Sequence, residues 1–183
     1  MGKTECTQDC FEFPDLISRK VVVEADDQFV TGNAGGVLLA QLDRNQKIIE
    51  RFADCFVDLR RPYRIEHSLE VMLRQRVYGI ALGYEDLNDH DSLRHDPLLA
   101  LLSDKRDLSG KTRQRAQDKG FALAGKSTLN RLELTPFDAD QSSRYKKIVA
   151  RPEAMDDLFI DLFLEAHDSA PEQIVLDVDA TDD

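Results

Sequence analysis

No apolar run in the sequence approaches the roughly 18 to 20 residues that cross a bilayer, so no membrane-spanning helix is expected. No basic-then-apolar leader precedes the chain either, since residues 1–9 read Met-Gly-Lys-Thr-Glu-Cys-Thr-Gln-Asp. That excludes the usual secretory signal and predicts a cytoplasmic protein. Cysteine is scarce, with only Cys6, Cys10 and Cys55. An odd set of thiols without an export signal predicts the reduced form. Cys6-x3-Cys10 has no second pair to complete a tetrahedral zinc site. Internal repeats and low-complexity segments are missing as well. Residues 152–183 contain no Lys or Arg, yet hold eleven Asp or Glu.

What is present is a folding-competent composition. Apolar residues make up 42% of 183 and charged residues 32%, enough for one compact domain or two small ones. The net charge of -11 argues at first against nucleic acid. The acid-only stretch at 152–183 accounts for all of it, so the preceding chain is balanced. Within that balanced part, residues 105–131 carry eight cations, interrupted only by Asp107 and Asp118. Salt screens distant charge, so such a patch attracts phosphates by what lies near it. A solvated basic surface is the plain alternative.

Residues 21–24 and 28–30 read as two short strands around Ala25-Asp26-Asp27, a small hairpin. After Gly35-Gly36, the apolar positions Val37, Leu38, Leu42, Ile48, Ile49, Phe52 and Phe56 recur with helical spacing. Pro62 breaks that run. A second helix is predicted over 67–82, with Leu69, Met72, Leu73, Val77 and Ile80 on one face and Gly83 as its stop. In residues 85–95, Leu87 and Leu93 point inward. Pro97 suits the first turn of a helix to Leu102. Residues 109–120 are polar, basic and expected to be helical. Ser127 is placed as N-cap of a helix over 128–134, ended by Pro136. Two more helices are expected over 144–149 and 153–167, the second with Met155, Leu158, Phe159, Leu162 and Phe163 on one side. Residues 173–179, Gln-Ile-Val-Leu-Asp-Val-Asp, are the clearest strand.

Several motifs compete for function. Gly120 to Ser127 fits the phosphate-loop pattern G-x-x-x-x-G-K-S. Such a loop must follow a buried strand, whereas here the preceding residues are polar and basic. The same stretch also reads as a helix-turn-helix, with residues 112–119 as first helix. The capped helix after Ser127 would then show Lys126, Thr128, Asn130 and Arg131 to DNA. Asp89, His90, Asp91, His95 and Asp96 are metal-ligand types. His90 and His95 sit about 140° apart around a helix, however, and caps and turns account for them. Asp177 and Asp179 share one face of the last strand, because the side-chain period of a strand is two. Carboxylates so placed suit magnesium, and two-metal phosphoryl transfer uses such acids. A strand end reaching solvent explains them equally.

Residues 78–97, Tyr-Gly-Ile-Ala-Leu-Gly-Tyr-Glu-Asp-Leu-Asn-Asp-His-Asp-Ser-Leu-Arg-His-Asp-Pro, closely resemble a signature of the "thirteen-eighty" group of bacterial insertion-sequence DDE transposases. Residues 127–133, Ser-Thr-Leu-Asn-Arg-Leu-Glu, resemble that group's next block. Residues 176–183, Leu-Asp-Val-Asp-Ala-Thr-Asp-Asp, resemble the block with the first catalytic aspartate. All three occur in the family's order. The resemblance implies an RNase H-like core holding two Mg2+ ions with Asp, Asp and Glu. It makes Asp179 the first catalytic acid and metal ligand on the Asp-x-Thr pattern, with Asp177 as the alternative in the other register. It also implies double-stranded DNA partners, namely the element's terminal inverted repeats and the target, and a homodimer across paired ends.

The fold expected is therefore α+β and mostly α-helical: an N-terminal hairpin, a helical DNA-binding region, and the first strand of an incomplete RNase H-like core. The corresponding regions are 1–60, 61–136 and 137–183. The expected function is DNA transposition, by cleavage at the element end and strand transfer. Since neither a second Asp nor the Glu can be assigned before Asp183, the chain reads as an N-terminal fragment, inactive alone. A non-catalytic DNA-binding remnant is the alternative function.

Overall fold

The computed structural model describes residues 10–16, 19–24 and 31–175. The chain is mixed, with helices grouped around one core and two small antiparallel sheets. Strand β1 (Cys10–Leu16) pairs with β2 (Arg19–Glu24), Phe13 opposite Val21 and Phe11 opposite Val23. A hairpin is present, with β2 paired to the upstream β1; residues 28–30, the second strand expected, lie outside the described residues. Phe13, Val21 and Val23 lean on the main core.

One predicted helix is two in fact. Helix α1 (Gly36–Gln46) ends at Lys47, whose φ of 55° is left-handed, and α2 (Ile48–Ala53) starts afresh. The break is held from inside. The buried Asp43 carboxylate accepts from the Ile49 amide at 2.7 Å, the Tyr78 hydroxyl at 2.8 Å and Arg74 Nε at 3.2 Å. Four orphan amides open any helix, and Asp43 satisfies one of α2's. Phe56 belongs to β3 (Phe56–Asp58), not to the helix.

Helix α3 (Leu69–Ala81) is capped by the Ser68 hydroxyl, which accepts from the Val71 amide. Gly83, at φ 94°, turns the chain away after it. Its inward face is the expected one at Leu69, Met72, Leu73 and Val77 but not at Ile80. Met72, Leu73, Gln75 and Tyr78 are buried, while Ile80 is exposed. The difference follows from polar partners: Asp43 receives Tyr78, and the backbone of Ala124 receives Gln75. Short helices α4 (His90–Leu93) and α5 (Pro97–Leu102) follow, α5 capped by Asp96 with Pro97 in its first turn. Residues 126–133 form α6 (Lys126–Glu133). Met72, Leu99, Leu123, Leu129 and Ile148 meet in the centre. Removing a buried Leu such as Leu129 costs about 2–5 kcal/mol.

Residues 109–120 are not helical, apart from one 3-10 turn at Ala116–Asp118. The Asp107 carboxylate accepts from the amides and hydroxyls of both Ser109 and Thr112, at 2.6–3.1 Å. Those local bonds compete with a helix and win. Ser127 is no N-cap either; Gly125 holds that position, without a side-chain bond. The helix expected over 144–149 is absent: residues 144–147 are loop leading into β4 (Ile148–Ala150), which pairs with β3, Val149 opposite Val57. Helix α7 (Pro152–Glu165) buries Leu158 but leaves Phe159, Ile160 and Leu164 exposed. Residues 173–175 show no strand, and residues 176–183, with the rest of the predicted strand, lie outside the described residues.

Candidate nucleic-acid interface

One large cleft, about 1080 Å³, opens between the segment 60–67, the loop 113–125, α6 and the loop 141–148. Its lining is dominated by arginine. The sequence builds the first wall with Arg60-Arg61-Pro62-Tyr63-Arg64, where a 3-10 turn at Pro62–Arg64 points successive side chains outward. The opposite wall carries Arg131 and Arg144, and the loop between supplies Arg113 and Arg115.

These cations fall into two groups. Arg60 and Arg113 are structural. Arg60 is clamped by Asp58, with Nη2 to Oδ2 at 2.6 Å, and its Nη1 donates to the His67 carbonyl at 3.0 Å. Arg113 contacts Glu66 at 2.8 Å and donates to the Phe121 carbonyl at 3.0 Å. Arg61, Arg64, Arg115, Arg131 and Arg144 have no acidic partner among the described residues. Instead, Arg64 stacks on Tyr63, while Arg131 and Arg144 lie over Tyr145 at 5.2 and 4.9 Å from its ring centre. Tyr63 is 69% exposed and Tyr145 56%. Each such stack is worth about 0.5–1 kcal/mol at an exposed site and leaves the guanidinium edge free to meet phosphate bidentately. Unpaired arginines with aromatic platforms are what a cleft for nucleic acid needs.

The walls are locked together. The Gln75 amide donates to the Ala124 carbonyl at 2.7 Å and accepts from the Ala124 amide at 3.0 Å. Gln75 also donates to His90 Nδ1 at 3.0 Å. His90 is fully buried; burial, then Arg76, lowers its pKa to about 4 against an opposing pull from Asp89. Arg94 lies over Phe121 at 3.8 Å and closes the same region.

The residues singled out from sequence separate here. Thr128 and Arg131 line the cleft. Lys126 does not; its Nζ bonds Asn88 at 3.0 Å and Asp91 at 3.3 Å. Asn130 is half-buried and lies off the cleft lining. The helix-turn-helix must be withdrawn, since its first helix is a loop pinned by Asp107. The phosphate-loop geometry is likewise unfilled by a strand, and the Lys126 amide is directed to Asp91 Oδ1 at 3.3 Å, where a phosphate would otherwise sit. Asp177 and Asp179 lie outside the described residues. Among the described residues no group of three or more His, Cys, Asp or Glu is placed to hold a metal ion, and no helix is long and apolar enough to cross a membrane. Sequence reading missed Arg60, Arg61, Arg64 and Arg144. Their signal was available: basic residues interleaved with tyrosine, in Arg-Arg-Pro-Tyr-Arg and Arg-Tyr-Lys-Lys.

The cleft thus sets arginines without acidic partners among the described residues beside exposed tyrosines, on a chain whose net charge is negative. The chain belongs to the transposase DDE domain group 1 family, which it matches over residues 13–183. No match was found among curated proteins or among solved structures. Transposases of this family act on DNA, and DDE enzymes generally use divalent metal ions.

Proposed function

We propose that this chain binds the terminal inverted repeats of an insertion sequence through the arginine cleft, as the N-terminal part of a DDE transposase of the "thirteen-eighty" group. The observation that carries the reading is the set of arginines without acidic partners around Tyr63 and Tyr145, inside a member of a transposase family. Residues 61–136 supply most of the cleft, and residues 137–183 lead toward the first acid of an RNase H-like core. Asp179 is that acid, with Asp177 the alternative, and would hold Mg2+ together with a second Asp and a Glu from beyond Asp183. The chemistry is hydrolysis of a phosphodiester at the element end, then attack of the freed 3′-hydroxyl on target DNA. Two protomers across paired ends would carry it out, in the cytoplasm. Thr128 and Arg131 face the DNA from α6; Lys126 and Asn130 contribute less, since Lys126 is already held by Asp91.

The test is fluorescence anisotropy of labelled duplexes carrying the element's terminal repeat or a shuffled sequence. Tighter binding of the repeat, weakened by salt, is expected. Equal, feeble binding of both would overturn end recognition. In a reading frame that supplies all three acids, Asp179→Asn should abolish excision of a marked element while leaving repeat binding unchanged. Binding without any cleavage by such a frame would favour the non-catalytic remnant.

A further inference from the structure

His67 lines the cleft and is only 4% exposed. Its two ring nitrogens are in unlike positions. Nε2 sits 2.7 Å from Arg113 Nη1. A guanidinium offers no lone pair, so Nε2 must accept, and the ring proton belongs on Nδ1. Nδ1 has no hydrogen-bond partner. Buried N–H groups almost always find an acceptor, and one without is a standing cost in the free protein. The ring cannot escape by becoming a cation. Burial above all, then Lys105, Arg113 and Arg60, lower its pKa to about 3. His67 is therefore a neutral ring with a spare donor, set among fixed positive charges.

We propose that the cleft contains an oxyanion pocket at His67, in which a non-bridging phosphate oxygen of a nucleic acid strand accepts the Nδ1–H while Arg61 and Arg64 neutralise that phosphate. This rests on the cleft being the DNA interface. A phosphate supplies both missing things at once: an acceptor for the orphan donor and negative charge for arginines that lack it. Arg60 and Arg113 are positioning residues. Arg60 holds the His67 carbonyl, and Arg113 fixes the ring tautomer; both are already charge-paired, Arg60 with Asp58 and Arg113 with Glu66. Neutrality is useful here, because a neutral ring donates without needing to gain or lose a proton as the strand arrives.

The experiment uses the full chain and repeat duplexes in which one phosphate at a time is replaced by an uncharged methylphosphonate. At one position the wild type should lose about tenfold or more in affinity, the usual worth of a hydrogen bond to a charged group. His67→Phe should already have lost the hydrogen-bond share of that factor and show a smaller further loss there, from Arg61 and Arg64 alone, and His67→Asn, which returns a donor near Nδ1, should recover part of the lost share. If every position weakens wild type and variant by equal factors, the pocket is overturned while the DNA interface stands. A buried substitution can unfold the chain, so a second measurement uses the unaltered protein. The ring Nδ1–H signal of 15N-labelled histidine is followed on adding inorganic phosphate or duplex. A saturable shift of His67 is expected; a signal unmoved by both overturns the pocket. A shift with phosphate in a chain that binds no duplex keeps the pocket and overturns the DNA reading.

Discussion

At the scale of residues, the two buried histidines should weaken the fold in mild acid. Free histidine titrates near 6.5, whereas folded His67 and His90 titrate at about 3 and about 4. A lowered base pKa means that the unfolded chain takes up protons first. The two histidines cost no stability well above pH 6.5, and the cost grows as pH falls from 6.5 to about 4 for His90 and about 3 for His67. At pH 5 each site should have lost about 2 kcal/mol, so thermal melts at pH 7.5 and pH 5.0 should differ clearly. The difference should shrink by about half in His90→Gln, if that variant folds; an unchanged difference would remove His90 from the account. Two cations on one helix make a sharper contrast. Arg131→Ala should reduce the salt dependence of DNA affinity by about one unit of log–log slope. Lys126→Ala should leave the slope nearly unchanged, because Lys126 already neutralises Asp91. Anisotropy titrations over a salt series distinguish them. Sequence weighed these two residues equally, since the carboxylate that occupies Lys126 comes from 35 positions away.

At the scale of elements, the loop before α6 is the part that local pattern misread. Its basic residues look like a helix face. Asp107 gathers Ser109 and Thr112, Gly110 adopts a φ of 66°, and the Gly120 amide closes back on the Gly110 carbonyl at 3.1 Å. A Cβ on Gly110 would lie 2.5 Å from the Phe121 carbonyl carbon. Gly110→Ala should therefore cost more than about 2 kcal/mol, from left-handed strain and the backbone clash together. In a chain of this size that lowers the melting temperature by roughly 4–8 °C, and DNA affinity should fall with it. Gly35→Ala is the control: φ is -58° and nothing lies within 4 Å, so stability should hold or rise slightly. Elements whose ends are chemically marked were legible. Gly83 after α3 and Pro97 in the first turn of α5 stand much as read, whereas the caps Ser68 and Asp96 were not read. The pairing of β3 with β4 was not, because three-residue strands carry almost no periodicity and their partner lies about ninety residues away.

At the scale of the whole molecule, charge is separated rather than absent. The excess of eleven acids sits after Pro152, and the arginine cleft is built from the balanced remainder. The protein should behave as an anion on an exchange column at pH 7 and still bind DNA. If about four phosphates are neutralised, affinity should fall roughly a hundredfold between 50 and 200 mM salt; a flat response would show that the arginines are not in contact. The family and the charge segregation were both visible in sequence, but the cleft itself was not, since no single segment contains it. That dispersal has a consequence for synthesis. The clasp between Gln75 and Ala124 spans 49 positions, and the far wall waits for Arg144 and Ile148. Chain closure over such spans is slow compared with local helix formation. A nascent chain therefore emerges with its arginines scattered and completes the cleft only after Ile148 has left the ribosome, so that, on the proposed function, partial translation products should not compete for the element's ends.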